Sequence, residues 1–588
     1  MEGWSGAILR VDLDQAVTSQ ERLAEDELRQ YIGGRGLAVR LLTQEVEATV
    51  DALAAPNKMI FAAGPLTGTA TPGNGRCVVA SKSPVNQGLA CANLGGYWAA
   101  ELKLAGYDAL VVEGKAAEPV YLFVGDDGVE LRPAHHLWGN GTKQTTRQVR
   151  ADTEEDAAVI CIGPAGERAV LISSIVDANR RWSSGRAGLG AVMGSKNLKA
   201  IAVKGKRPLR IADRQRFLME LQAFRSRLAN EPLLSYHLPF YGTASLVWPL
   251  HSAGALPSHN FSGVPLPGAA GLRGEALGDS LLHRRVSCFA CPVACGRATG
   301  VSGCTGEGPE LEDILALGSN CGIGDLQDVA RATYLCEDLG LDPVAAGSAI
   351  ACAMDMHAKG VAGPQWAGRH MPFGDAACLL ESLELIAYRR GAGEVMAEGA
   401  FHLAQRYDVP ELFTGVKKQA LHAYDPRPDE WLALSYATAN TGAVPMTNGR
   451  LIQSLLIHPT GKAPSEETTA QRIKAQQGAD VVMESVGICP LVALVTDVSE
   501  AASLLAAATG QEMAAVDLLA AGARIWDLER GFNLRAGLSA ADDRLAERFF
   551  APISGKLYPA FTLADLVQEY YRLRGWDASG HPAASAAP

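Results

Sequence analysis

The chain has 588 residues, 48% of them hydrophobic, and a formal net charge of −11; its mean hydropathy is +0.04. That is enough apolar material for a large core and several domains. The acidic balance argues against nucleic acid as the main partner, because phosphate binding needs a basic face, but it leaves room for a local cationic patch facing an acidic electron carrier.

The first residues, M-E-G-W-S-G-A-I-L-R-V-D-L-D, lack the basic-then-apolar pattern of an export signal. From about residue 6 to 206 the chain reads as strand and turn. Runs such as M-I-F-A-A-G, A-L-V-V-E-G, V-Y-L-F-V and A-V-I-C-I-G are punctuated by Gly, Pro, Asn and Asp. Helical spacing is confined there to 25–31 and 97–104. After Pro208 the texture changes, with helices expected over 214–230, 311–317, 328–339, 344–358, 373–390, 516–526 and 563–574. The expected fold class is α+β: a β-rich cofactor-binding domain at 1–208, then two mainly helical domains at 209–415 and 416–588. The apolar stretch 501–525 is broken by Gln511, Glu512 and Asp517, so it reads as packed helix and not as a membrane span. Twelve cysteines at irregular spacing suggest a reducing compartment, hence a cytoplasmic protein.

The chemistry concentrates at 287–296, S-C-F-A-C-P-V-A-C-G. Cys288, Cys291 and Cys295 stand at C-x2-C-x3-C spacing. Three such thiolates can hold three corners of an iron–sulfur cube; zinc is the other reading, although zinc sites usually pair two close doublets or mix Cys with His. The favoured fourth ligand is Cys489 in E-S-V-G-I-C-P, with Cys304 the nearer alternative. The remaining cysteines (Cys77, Cys91, Cys161, Cys304, Cys321, Cys336, Cys352 and Cys378) read as small buried hydrophobes.

Three glycine-rich loops have the character of anion cradles: 73–76 with Arg76; 93–96, made of Asn93, Leu94, Gly95 and Gly96; and 185–199 with Arg186, Ala187 and Gly188. None is a Walker or dinucleotide loop. A short echo is also present. Residues 337–342 read E-D-L-G-L-D and 484–489 read E-S-V-G-I-C. Either these are two helix ends closed by glycine, or they are two equivalent loops gripping the halves of a pseudo-symmetric ligand.

These segments together resemble the tungsten-dependent aldehyde:ferredoxin oxidoreductases almost end to end. G-W-S-G-A-I-L-R-V-D-L is similar to that family's opening strand. A-N-L-G-G-Y-W-A-A-E-L-K-L-A-G-Y and G-R-A-G-L-G-A-V-M-G-S-K-N-L-K resemble its two cofactor segments. The resemblance implies tungsten or molybdenum held by two pyranopterins, a [4Fe–4S] cluster on Cys288, Cys291, Cys295 and Cys489, and Mg2+ bridging the pterin phosphates near Arg76, Asn93 and 186–188. It gives the echo a role: Glu337, Gly340, Leu341 and Asp342 would meet one pterin, and Glu484, Gly487 and Ile488 the other, with Glu337 and Glu484 standing where the family usually has Asp. It also implies aldehyde oxidation to carboxylate, or the reverse, with electrons passed to ferredoxin or an iron–sulfur subunit, in a homo-oligomer or a hetero-complex. Low-potential reduction of an aromatic acyl-CoA is the alternative within the family, and an electron-transfer protein without catalytic metal is the alternative outside it.

One departure concerns the chemistry. The family's metal-side histidine aligns with Pro445 and its preceding arginine with Thr441. Pro can neither give nor take a proton. Glu312, from G-P-E-L-E at 308–312, is then the leading acid/base candidate, with His422, His458 and Tyr424 as substitutes. The E-x-x-H pattern that some members use for an intersubunit iron is not evident around 331–335.

Overall fold

The computed structural model describes residues 2–177, 182–184, 186–361, 370–422, 424–443, 467–550 and 562–583. Six strands come first: β1 (Ala7–Asp12), β2 (Val17–Arg22), β3 (Met59–Ala63), β4 (Cys77–Lys82), β5 (Leu89–Leu94) and β6 (Ala109–Glu113). They form one sheet in the order β2-β1-β6-β3-β4-β5. A second set follows: β7 (Val120–Gly125), β8 (Gly128–Pro133), β9 (Ala158–Cys161), β10 (Ile175–Asp177), β11 (Trp182–Ser184) and β12 (Leu198–Val203). Read from its other edge, that sheet runs β8-β7-β12-β9-β10-β11.

The two orders are the same when each set is counted from its own first strand. So are the directions: the first strand pairs parallel with the sixth in both sheets, and every other pairing is antiparallel. The β-rich region is therefore one topology used twice. The edge strands β5 and β11 lie side by side where the sheets meet.

Strand alternation explains why both sheets are covered on both faces. Leu9, Phe61, Val79 and Leu110 of the first sheet join Leu122, Ile160 and Ile201 of the second in a core between them, sealed by Trp98 and Met193. Ile8, Ile60, Val78 and Val111 point the other way, into a core shared with the helices that reaches from Trp4 to Trp576. Trp98 donates its indole N–H to the Ile201 carbonyl at 3.1 Å, so a helix of the first repeat closes on the second sheet.

The expected helices 328–339, 344–358 and 563–574 correspond to Leu326–Leu339, Pro343–Ala358 and Leu563–Arg574. Three features depart from the sequence reading. The N-terminal region holds further helices, among them Gly34–Glu45 and Thr142–Asp152. The first opens on glycines, and a Cβ on Gly34 would come 2.2 Å from the Glu484 carbonyl, so the glycine serves close packing. The long helix Thr469–Val486, between helices Glu430–Thr438 and Val498–Thr509, was not anticipated. Third, the cysteine triplet lies in the connection between the first two strands of a small antiparallel sheet made of β13 (Leu282–Val286), β14 (Gly296–Val301) and β15 (Cys304–Glu307). Cys91 and Cys304 are half-buried, not buried as expected. No helix among the described residues is long and apolar enough to cross a membrane.

Candidate functional site at the junction of sheets and helices

Each β-repeat ends its central strand in a Gly-Pro turn, and each turn receives one copy of the E-x-x-G echo. Gly487, at φ +94°, closes helix Thr469–Val486 and packs on Gly64; the Leu66 N–H donates to the Val486 carbonyl at 3.1 Å. Gly340, at φ +73°, closes helix Leu326–Leu339 and packs on Gly163; Ser174 N–H donates to the Gly340 carbonyl at 2.8 Å and Asp342 N–H to Ile172 at 2.9 Å. The echo therefore marks two glycine-capped helix ends, and these occupy equivalent places on a duplicated base.

The four cysteines come from two distant segments. Residues 288–295 connect β13 to β14, and the chain turns back on itself through Ala290 and Ala294, both at positive φ, near +50°. Such backbone is disfavoured for alanine and persists where the surroundings over-determine it. Cys489 caps the short helix Pro490–Ala493 and donates its N–H to the Gly73 carbonyl at 2.8 Å. The thiols act on one another electrostatically. Burial pushes Cys288 up to about 12, and the charges of Cys489 and Cys291 add to it while Arg76 opposes. Cys295 is raised by burial, then by Glu310, Cys288, Cys489 and Cys291. Cys304 is not among the groups that act on them.

Cys288, Cys291 and Cys295, raised by burial and acting on one another together with Cys489, gather four soft donors in one place, a set suited to a soft metal or a cluster. Burial disfavours charge on Arg76, but Cys489, Cys288 and Cys295 outweigh it and hold the guanidinium above its usual value. A Cβ on Gly95 would lie 3.4 Å from the Arg76 guanidinium carbon, and the Gly96 carbonyl accepts from Phe289 N–H at 3.0 Å. The 93–96 loop and the cysteine loop are therefore docked together.

Asn93 Nδ2 donates to Glu484 Oε1 at 2.7 Å, and Arg35 Nη1 donates to Glu484 Oε2 at 2.9 Å. Arg35 is itself gripped by buried Glu529. Arg35 was missed in the sequence; an arginine just before the apolar run L-A-V-R-L-L was the available signal. On the other side, Asp342 caps helix Pro343–Ala358 through Val344 N–H. Glu337 is buried, and its carbonyl accepts from Thr142 Oγ1. Leu341 bridges to Ser173, and Ile488 is buried beside Gly487. The Ala187 carbonyl accepts from Ser83 Oγ at 2.9 Å, and Gly188, at φ +78°, begins helix Leu189–Ser195.

Arg186 donates through Nη2 to the Ala420 carbonyl. Its Nη1, His422 Nδ1 and the Ser173 and Ser174 hydroxyls are buried with no hydrogen-bond partner among the described residues. Buried polar atoms of this kind call for a polar ligand. Burial lowers Arg186, partly offset by Asp342, Tyr436 and Glu312. Glu312 Oε1 lies 4.0 Å from His422 Nδ1; the two side chains keep 29% and 22% of their surface although protein surrounds them, as groups lining an internal void do. Burial raises Glu312 to about 7. Burial lowers His422 well below its ordinary value, and Arg186 lowers it further. Tyr436, missed in the sequence, donates to the His422 carbonyl and lies with Tyr424 in the electrostatic reach of Glu312. His458 and Pro445 fall outside the described residues. A separate cavity of about 270 Å³, lined by Gly68, Leu209 and Phe217 among others, is distant from these groups in its lining.

Two sequence profiles match nearly the whole chain: "Aldehyde ferredoxin oxidoreductase, N-terminal domain" over residues 8–205, and "Aldehyde ferredoxin oxidoreductase, domains 2 & 3" over 220–587. The chain belongs to the aldehyde ferredoxin oxidoreductase family. Its relatives include the tungsten-containing aldehyde ferredoxin oxidoreductases of Pyrococcus furiosus, 40% identical over 99% of this chain and 97% of that one, and of Thermococcus kodakarensis, 38% identical over the same shares. An aliphatic sulfonate oxidoreductase, WOR-like subunit, of Pyrococcus furiosus is 27% identical over 99% and 96%. Among solved structures, the active site complex BamBC of benzoyl coenzyme A reductase, in complex with 1,5-dienoyl-CoA, has the same fold. The TM-score is 0.87 at 24% identity, covering 99% of this chain and 96% of that one. This aldehyde ferredoxin oxidoreductase family member is an oxidoreductase.

Proposed function

We propose that this family member is a tungsten enzyme that oxidises aldehydes to carboxylic acids, or runs the reverse reaction, and passes electrons to an iron–sulfur carrier. The observation that carries the reading is the convergence of Cys288, Cys295 and Cys489 on Arg76, with Cys291 acting on Cys288 and Cys295, beside two matching Gly-Pro/E-x-x-G junctions. The higher identity to the tungsten-containing aldehyde enzymes favours them over the acyl-CoA reductase fold neighbour. The cofactor-binding domain is taken as 1–208, followed by domains at 209–415 and 416–588, and the cytoplasm is the compartment proposed.

When bound, a tungsten bis-pyranopterin would supply two-electron oxygen-transfer chemistry, and a [4Fe–4S] cluster would carry the electrons singly. The residues present fit both groups. The four thiols would hold the cluster. Glu484 with Asn93, and Glu337 and Asp342 with Arg186, would offer each pterin acceptors and donors, and the resemblance puts Mg2+ near Arg76, Asn93 and 186–188. Arg76, held charged by Cys489, Cys288 and Cys295, would stabilise the anionic sulfurs.

Glu312 is the acid/base. Held near 7, its carboxyl exists in both forms at working pH, the condition under which proton transfer is most efficient. His422, kept neutral by burial and by Arg186, presents a nitrogen to the same void and orients substrate. The pair takes over the work of the histidine replaced by Pro445. The test is anaerobic viologen-dye reduction with an aldehyde series. Activity in the parent and its loss in Glu312→Gln with metal content retained supports the reading; aldehyde turnover unchanged in Glu312→Gln removes it.

A further inference from the structure

We propose that Tyr436 is a positioning residue of the substrate site: its hydroxyl holds the backbone of His422 so that the imidazole faces Glu312 across the internal void. The inference rests on the functional reading above and adds what sets the geometry of the Glu312–His422 pair.

The His422 ring does not fix itself. Its Nδ1 is buried with no hydrogen-bond partner among the described residues, and Glu312 Oε1 stands 4.0 Å away, too far for a hydrogen bond. The aim of the ring is therefore decided by the backbone that carries it. That backbone is held at both ends. The Tyr436 hydroxyl donates to the His422 carbonyl, and the Tyr424 carbonyl lies 3.2 Å from the same oxygen. The Tyr436 oxygen also accepts from Tyr424 N–H at 3.3 Å, a group that turns back to the His422 carbonyl at 2.6 Å. One phenol oxygen thus meets three polar groups of His422 and Tyr424. At the other end, His422 N–H donates to the Ala443 carbonyl at 3.2 Å.

Both contacts come from one buried unit. Helix Glu430–Thr438, which carries Tyr436, is buried from Trp431 to Thr438. The turn after it leads through Asn440 to Ala443 and is itself tied down. The Asn440 carbonyl accepts from Asn533 Nδ2 at 2.8 Å, and Asn440 Nδ2 donates to the Trp526 carbonyl at 3.0 Å and to Glu529 at 3.1 Å. Lys417 Nζ donates to the Ala437 carbonyl at 2.6 Å. Ala443 sits at φ +50°, a backbone that alanine disfavours and that persists where its surroundings over-determine it. The titratable groups acting on His422 and Tyr436 are Glu312, Arg186, Tyr424 and Asp425. Burial and Arg186 keep the imidazole neutral, so its use to a substrate depends on aim, and a shift of about 1 Å at a reacting site costs about 10²-fold in rate. Of the contacts that set this aim, the Tyr436 hydroxyl is a side-chain group and can be removed alone. Tyr436→Phe keeps the ring in the core and leaves the His422 carbonyl its bond from Tyr424 N–H.

The experiment is a double-mutant cycle on the holoenzyme: parent, Tyr436→Phe, His422→Gln and the double variant, assayed for aldehyde oxidation with benzyl viologen and normalised to bound tungsten. Tyr436→Phe should lower kcat by about tenfold or more in the parent background. In the His422→Gln background it should lower kcat by less than about twofold, because a residue that acts through another adds little once the other is gone. Tyr570→Phe is the structural control. It removes an equally buried hydroxyl, bonded to Gln477 at 2.5 Å, and should leave kcat at the parent value. A readout independent of turnover is hydrogen–deuterium exchange at the His422 imidazole C2 position, followed by mass spectrometry; the exchange should be faster in Tyr436→Phe than in the parent. An unchanged kcat in Tyr436→Phe, an equal loss in both backgrounds, or a His422 exchange rate equal to the parent's overturns the positioning role. Absence of aldehyde turnover in the parent instead strikes the functional reading, and the exchange comparison then decides the role of Tyr436 by itself.

Discussion

Glu312 and His422 face each other across 4.0 Å, one from the turn after β15 and the other from the segment after Ala420. Neither has an ordinary proton affinity: burial raises the carboxyl to about 7 and drives the imidazole down. An acid able to hold its proton and a base reluctant to take one are thereby set side by side, the arrangement in which a single proton can be handed over near neutral pH.

Glu312 gives a pH prediction with a definite sign. Its folded value lies above the ordinary 4.5, so the stability its protonated form contributes is present below pH 4.5 and lost as pH rises through about 7. Glu312→Gln, neutral throughout, should be more stable than the parent above pH 7 by about 1–3 kcal/mol and should converge with it in acid. Denaturant titrations across that range check this. In turnover the carboxylate is the proton acceptor, so the parent rate should rise through about pH 7 and the variant should lose that inflection.

His422 behaves in the opposite sense. Its folded value is depressed, so its stabilising share is present above its ordinary 6.5 and lost as pH falls. His422→Gln should soften the acid-side loss of stability. It should also lower kcat by about 10²-fold, with metal content unchanged.

Close backbone approach at the two Gly-Pro turns should be intolerant of any side chain. A Cβ on Gly163 would lie 2.3 Å from the Leu339 carbonyl carbon, and one on Gly64 2.3 Å from that of Val486. Gly163→Ala and Gly64→Ala should each cost about 3 kcal/mol or more. Gly303→Ala, at φ +83° but with nothing within 4 Å, should cost about 1 kcal/mol. Thermal unfolding of the three variants checks the contrast.

Arg35 satisfies two carboxylates, Glu484 at 2.9 Å and Glu529 at 2.7 Å, in a nearly solvent-free setting. Arg35→Met leaves both anions uncompensated and should destabilise the fold by about 3–5 kcal/mol. Pterin content measured after release should fall with it, because Glu484 then loses its orientation.

Much of this was legible in residues. C-x2-C-x3-C with a remote cysteine needs only ligand chemistry to be read, and E-x-x-G repeats because a helix ending on αL glycine leaves a local signature. Glu312 was legible from its motif. The duplicated sheet was not: the two repeats share strand order and a Gly-Pro turn, but Phe61 and Ile160 fill equivalent places with different side chains, so the likeness lies in topology. Arg35, Tyr436 and the β13–β14 hairpin were missed for a related reason. Their roles arise from partners far along the chain, Glu529 for Arg35 and the His422 carbonyl for Tyr436, and no local pattern announces such a contact.

The most direct measurement is elemental analysis of the anaerobically purified chain with Cys489→Ala alongside. About four iron and about one tungsten per parent chain, with iron falling sharply in the variant, is the predicted result. Zinc in place of iron in the parent, or iron fully retained in Cys489→Ala, would contradict the account.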